Sequence, residues 1–418
     1  VTQRDPGTME VSDTVTTEYR INGGPWTTAA TNGSLTGNNT VGVSQTGLLG
    51  DSLEIRVTIA NNDDNERHRF DNIEVTGFPA PVSYVFNGTW TPESPIGIAG
   101  PIDDITIVSG TVDFDADTDC NNLTVNPSGN VTVAGGVTLT IANDMILESS
   151  STQYSSLISD GTITGNVIYE RHVNGSTGSG STVSNDLVSA PLTGQTFESF
   201  RDANINLTSG DIGGTLTYLF GTFDPSANAY ALYTDADIAL TLDRGVGYRA
   251  ASSDNSTLTF DGTVETGNVP ATITSGGTSN WNLIGNPYPS YLKVQDFLSN
   301  ISTSGLIDEN AVGIYGYDGD ISDGWVIYNL ATITATTVIA PGQGFFVNAE
   351  ATGDVQFTPG MRTTGIDDDF ITGRSSNNLV YLKLNMSNAT DNSSTDFYFN
   401  PNASLTLDPG YDATVWNN

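Results

Sequence analysis

Four aspartates, Asp113, Asp115, Asp117 and Asp119, alternate through the run VDFDADTDC. Side chains two apart on an extended strand share a face, so this spacing predicts four carboxylates projecting together. Such a row repels itself unless water solvates it or a cation bridges it, and Ca²⁺ accepts an all-oxygen ligand set. The run lacks the sixth-position Gly and twelfth-position Glu of an EF-hand loop. A calcium site and a solvated outer edge therefore stand side by side as readings. A second run, from Asp318 to Gly324, offers Asp318, Asp320 and Asp323 with glycines that permit tight backbone wrapping, against the plainer reading of a turn. A third, Asp367-Asp368-Asp369, reads as solvated charge in a linker. Calcium is the one cofactor these patterns point to.

Nucleophilic and zinc chemistry find little to work with. The two histidines, His68 and His172, are far apart in sequence, and Cys120 is the single cysteine. A His- or Cys-based zinc site, a Ser-His triad and an intrachain disulfide lack their partners. There is no G-x-S-x-G elbow and no phosphate-cradling Gly loop opening a helix. A carboxylate pair for glycoside hydrolysis remains compatible with 48 acidic residues, although none sits in a recognisable context. The expectation is a protein that is not an enzyme. Trp26, Trp90, Trp325 and Trp416 lie beside Gly, Pro, Asn or Thr rather than in apolar runs. They are candidates for stacking on sugar rings, with burial against a strand as the competing reading; Trp281 reads as core.

The charge balance narrows the partners. In 418 residues, 48 acids stand against 13 bases, a net charge of −35. Polyanions such as nucleic acid and anionic membrane surfaces repel such a chain. No apolar run reaches the 18 or more residues of a membrane span, so direct membrane insertion is not expected. Charged residues make up only 15%, which leaves solubility to Thr, Ser, Asn and Gly and suits an exported protein in a cation-rich medium.

These residues must be carried by strands. Short alternations such as SLEIRVTI, NLTV, VTVAGGVTLTI and YLKLNM, bounded by Gly, Asn, Asp and Pro, predict an all-β chain of tandem modules. YLKVQDFLSN after Pro289 is the best helical stretch. Residues 1–80, with a turn at Asn22-Gly23, read as a partial, jelly-roll-like β-sandwich. In 81–172, Ile105, Leu123, Met145 and Val167 each begin an apolar-x-apolar step, the last three 22 residues apart. That is the period of a three-sided β-solenoid, with a flat β-meander as the alternative. From 173 to 365 the chain is duplicated: Asp186-Leu187-Val188-Ser189-Ala190-Pro191 recurs 96 residues later as Asn282-Leu283-Ile284-Gly285-Asn286-Pro287. Gly245-Val246-Gly247-Tyr248 recurs 97 later as Gly342-Gln343-Gly344-Phe345. Two β-sandwich units, about 181–275 and 277–365, are expected, followed by a linker and the start of a further β element in 366–418. The strand sets at both ends read as incomplete.

GTITGNVIYERHV (161–173), WNLIGNPYPSYL (281–292), APGQGFFV (340–347) and DFYFNPNASLTLDPGYDA (396–413) resemble large secreted proteins of the Bacteroidota. The resemblance spans roughly residues 85–418. It implies export by the type IX secretion system, an extracellular or cell-surface location and a multidomain β architecture, but no reaction. It also implies O-glycosylation at Asp-Ser/Thr-apolar triplets, which makes Thr14 and Ser52 candidate sites. The expectation is a non-catalytic structural or adhesive protein, partnered by copies of itself or other surface proteins in a fibre or sheath. A glycan-binding module, or the accessory region of a polysaccharide-degrading enzyme, is the alternative.

Overall fold

The computed structural model describes residues 2–4, 14–33, 40–60, 69–71, 73–77, 80–175, 185–317, 325–369, 380–387 and 392–399. Strands dominate these residues, and the chain divides into two compact units, Val1–Pro81 and Val82–Asn418. In the first unit, Thr14–Ile21 lies between Thr27–Gly33 and Leu53–Ala60 in one antiparallel sheet, and Thr2–Arg4 lies between Thr40–Gly42 and Arg69–Asp71 in another. The turn after Ile21 places Asn22 and Gly23 at φ 51° and 69°, a left-handed pair that Asn and Gly tolerate best. One face of the first sheet carries Val15, Thr17, Val57 and Ile59. The other carries cross-strand ion pairs, Arg20–Glu54 at 2.6 Å and Arg56–Glu18 at 2.8 Å.

The second unit begins with a β-solenoid of about four turns. Ser83–Asn87, Asp104–Phe114, Asn122–Val133, Thr138–Leu147 and Thr162–His172 pair in parallel, whereas a meander would pair antiparallel. The 22-residue period is the register itself: Leu123 faces Ile105 and Met145, and Met145 faces Val167. All four are essentially fully buried. Val131 between Val112 and Leu157 fills a second side, and Ile141 beside Cys120 fills a third. The corners are held by a side-chain ladder. Asp104 Oδ1 accepts from Asn121 and Asn122, Asn143 donates to Asn122 at 2.8 Å, and Asn166 donates to Asp144 at 2.7 Å.

A stack of coils has two open ends, and unpaired edges invite association. Here the first coil turns back as a hairpin onto Trp90–Thr91, with the Trp90 ring 5.1 Å from Phe86. The last strand, Thr162–His172, is paired antiparallel by Thr257–Gly262. The far side of that added strand is met by side chains. Asn204 bonds both the N–H and the C=O of Thr259, and Asn206 donates to the Thr257 carbonyl.

The duplication appears as two related sets of strands. Asp186–Ser189 pairs with Gly247–Ala250 in the same register as Trp281–Gly285 pairs with Gly344–Asn348: Asp186 faces Ala250 and Asn282 faces Val347. The first set uses the solenoid's last strand where the second uses Val269–Ile273, since Tyr169 faces Phe260 and Val269 faces Phe357. The strand Thr162–His172 thus belongs to both solenoid and first repeat, and the change of module at 172/173 falls inside shared structure. Within YLKVQDFLSN, Tyr291–Lys293 is strand and Val294–Ser302 is helix, burying Val294, Phe297, Leu298 and Ile301 at helical spacing. A second helix, Phe197–Ala203, carries no long periodic signal and is started by Thr196, whose side chain accepts from the Ser199 N–H. Val380–Ser387 and Asn392–Phe399 pair antiparallel.

Candidate functional site

The aspartate row stands on the outside of the solenoid. Asp113, Asp115, Asp117 and Asp119 are all exposed, and Val112, Phe114, Thr118 and Cys120 between them are buried. The strand stops at Phe114, however, and the chain turns a corner before Thr118–Cys120. The four carboxylates are therefore divided between two sides instead of lining one. Asp113 accepts from the Thr132 hydroxyl and Asp117 from the Thr138 N–H at 2.7 Å. Among the described residues no group of three or more His, Cys, Asp or Glu is arranged to hold a metal. Asp318, Asp320 and Asp323 lie outside the described residues, as do Trp416 and His68.

The third run differs from a solvated linker. The Asp369 carboxylate takes a 2.8 Å ion pair from Arg171, the largest fully buried side chain among the described residues, and the Asp367 carbonyl accepts from the Tyr291 hydroxyl at 2.7 Å. Arg171 lies over the Tyr154 ring at 4.0 Å. Burial opposes its charge, but Tyr154, Asp369 and Asp186 more than offset this and raise its pKa. Arg362 does similar work nearby, donating to the Ser159 carbonyl at 2.8 Å and to Asp160 at 2.6 Å. The NPYP segment is part of the same fastening. Asn286 Nδ2 donates to the Ser290 and Ala340 carbonyls, Tyr288 donates to the Gly267 and Phe357 carbonyls, and the Pro289 carbonyl accepts from the Leu157 N–H of the solenoid. Neither arginine carries a sequence signal, because nothing local marks which Arg will be buried.

Of the candidate sugar-stacking rings, Trp26 lies within 4.8 and 4.2 Å of the Arg20 and Arg56 guanidinium groups, and Trp90 packs on the solenoid's first coil. Trp325 belongs to an aromatic face shared by the two repeats. Tyr317 and Trp325 form a cross-strand pair, rings 5.3 Å apart, and Phe223 and Tyr230 form the corresponding pair in the first repeat at 5.4 Å. Buried Phe346 sits between, 5.1 Å from Phe223 and 5.9 Å from Trp325. Trp281 is half-buried in the same cluster, and Arg249 lies over Tyr230, whose hydroxyl is pushed up to about 12 mainly by burial. Only Trp325 of this face stands out from sequence; its partners become visible once the repeats are superposed.

Remaining reactive groups are quiet. Burial, reinforced by Asp104, Asp119 and Asp103, pushes the Cys120 thiol up to about 12, which makes it a core residue and not a nucleophile. His172 Nε2 lies 3.2 Å from the Asn255 carbonyl. A cavity of about 60 Å³, lined by residues that include Ile163, Gly165, Val167 and Thr263, is far below the roughly 300–1,000 Å³ of small-molecule sites. Thr14 and Ser52 sit at opposite ends of the first sheet, Thr14 half-buried and Ser52 exposed.

No helix among the described residues is long and apolar enough to cross a membrane. No curated protein and no solved structure matches the chain. A family model described as a domain of unknown function (DUF8693) matches residues 87–418, a stretch that takes in nearly all of the solenoid, both repeats and the final pair of strands. Since that is well over half of its length, the chain belongs to the DUF8693 family.

Proposed function

We propose that this protein is a non-catalytic structural or adhesive component of the cell exterior that works in contact with copies of itself or other surface proteins. The observation that carries the reading is where buried polarity goes. Arg171, Arg362 and Tyr291 fasten one module to another and Asn204 finishes a sheet, and among the described residues none of them converges on a cleft. Catalytic sites concentrate perturbed titratable groups around a pocket; here the large shifts fall on buried tyrosines, Arg171 and the Cys120 thiol, all held in their resting states. The resemblance to type IX secreted proteins supports the extracellular location. The capped ends of the solenoid direct any strand-by-strand assembly to other edges, such as Leu53–Ala60, which has one neighbour in its sheet among the described residues. Electron microscopy of native material, with calcium and after chelation, tests both assembly and the aspartate clusters. Regular fibres or sheets that dissolve on chelation are expected if calcium bridges copies, and dispersed particles in both conditions would remove the assembly reading.

The aromatic face favours a second reading, glycan binding, because half-exposed Tyr and Trp rings offer both a stacking surface and a polar edge. Affinity electrophoresis on neutral polysaccharides should then show retention that Trp325→Ala abolishes and Trp90→Ala leaves intact.

A further inference from the structure

The segment from Arg362 to Asp369 begins in the last strand of the second repeat, yet several of its bonds run back to the solenoid. Arg362 holds the Ser159 carbonyl and the Asp160 carboxylate. The Gly365 N–H donates to Asn130 Oδ1 at 3.3 Å. Asp369 takes the buried Arg171 guanidinium. Asn130, Ser159 and Arg171 lie on three different solenoid strands, Asn122–Val133, Ser156–Ser159 and Thr162–His172. The segment is seated on Tyr291, whose hydroxyl reaches the carbonyls of Asp367 at 2.7 Å and Tyr154 at 3.2 Å. Gly365 is needed for that seat, because a Cβ there would lie 2.9 Å from the Tyr291 ring.

We propose that this segment is a mechanical strap: tension arriving from the chain beyond Asp369 passes directly into the solenoid, and the two repeats hang outside the force path. This rests on the structural reading above. Between Arg171 and Arg362 lie about 190 residues, roughly 650 Å of contour at about 3.4 Å per residue, closed off by the strap as a loop. A chain without the strap would pull first on the last short strand of the second repeat, Arg362–Thr363, whose strand pairing among the described residues is with Tyr291 and Leu292. The strap adds to that weak entry the ion pairs Arg171–Asp369, with side chains 0% and 14% exposed, and Arg362–Asp160, at 4% and 65%, together with the Gly365 and Tyr291 hydrogen bonds.

Optical-tweezers stretching of the full chain from its two ends reads this directly. In the natural sequence the extension of roughly 650 Å is expected only with or after loss of the solenoid coils. With Asp369→Asn, the same extension should move to lower force and precede the solenoid. Tyr291→Phe, which removes a single hydroxyl and keeps the ring, should shift the release in the same direction by less and guards against a misfolded Asn variant. Unchanged force and order in Tyr291→Phe and in a folded Asp369→Asn chain would overturn the strap. The microscopy of assembly is independent of this result, so the strap can fail while the structural reading stands, and the reverse.

Discussion

The solenoid and the duplicated pair are both built by repetition, and they solve opposite problems. In the solenoid each coil is carried onto the next by translation, so Leu123 meets Met145 as Met145 meets Val167, and the operation leaves two ends that need caps. In the duplicated pair the copies exchange contacts. The Ser189 N–H bonds the Gly342 carbonyl at 2.7 Å, and its counterpart 96 residues on, Gly285, bonds the Gly245 carbonyl at 3.0 Å. The bridge Val188–Gln343 is answered by Val246–Ile284. This is the logic of a two-fold interface, in which one surface meets itself. It closes after two copies and needs no cap, but everything depends on one line of close approach. That line explains the repeated Gly-x-Gly-aromatic motif: a Cβ on Gly247 would lie 2.6 Å from Leu283 Cγ, and one on Gly344 would lie 2.8 Å from the Val188 carbonyl oxygen.

The contrast is broken most severely at that line. Gly344→Val should cost about 4 kcal/mol or more, because backbone on the far side cannot move aside without separating the copies. Gly247→Val should match it, and urea denaturation with limited proteolysis would show the repeats opening while solenoid fragments stay protected. At the solenoid corner, Gly136 has φ 84° and a Cβ added there would meet nothing within 4 Å, so Gly136→Ala should cost only about 1–2 kcal/mol. Equal losses at the two glycines would contradict the distinction. Next comes the solenoid core: Leu123→Ala, in contact with coils on both sides, should cost about 3 kcal/mol by cavity formation, read as a fall in the urea midpoint. Smaller again is the corner ladder, where Asn122→Ala removes the acceptor of Asn143 and a donor to Asp104, a loss of about 1–2 kcal/mol.

The two kinds of repetition also differ in what a sequence can reveal. Translation writes its register directly, so the spacing of Leu123, Met145 and Val167 announces which residues touch. The exchange between copies leaves only matching motifs; Gly245-Val246-Gly247 and Gly342-Gln343-Gly344 show that a turn recurs, not that each turn bonds the other copy. Asp113 to Asp119 were legible as exposed, because the buried residues Phe114 and Thr118 between them are inward, but the corner after Phe114 was not, since an odd number of residues outside the strands, here Asp115, Ala116 and Asp117, leaves alternation intact. Least legible are the long-range fasteners. Arg171 and Asp369 are 198 positions apart, and burial of a charge is decided by what folds over it.

Translation has a cost that exchange avoids: it stacks like on like. Leu147 faces Tyr169, so the residues that follow, Glu148 and Glu170, are neighbours on the outer surface of adjacent coils. Burial first, and the Glu148 charge second, raise the Glu170 pKa above its ordinary value. The sign follows from linkage. The folded state holds the Glu170 proton more tightly than the unfolded chain does, so the ionised carboxylate weakens the fold above its folded-state pKa, and that loss is relieved as pH falls through it. Glu170→Gln should therefore raise stability at pH 7, by no more than about 1 kcal/mol, the usual size of a cross-strand like-charge penalty. The gain should shrink toward pH 5. Urea titrations of both proteins at the two pH values decide it: a gain independent of pH would assign the effect to packing, and a loss would mean that Glu170 is held by a favourable partner and that the like-charge stack is no burden.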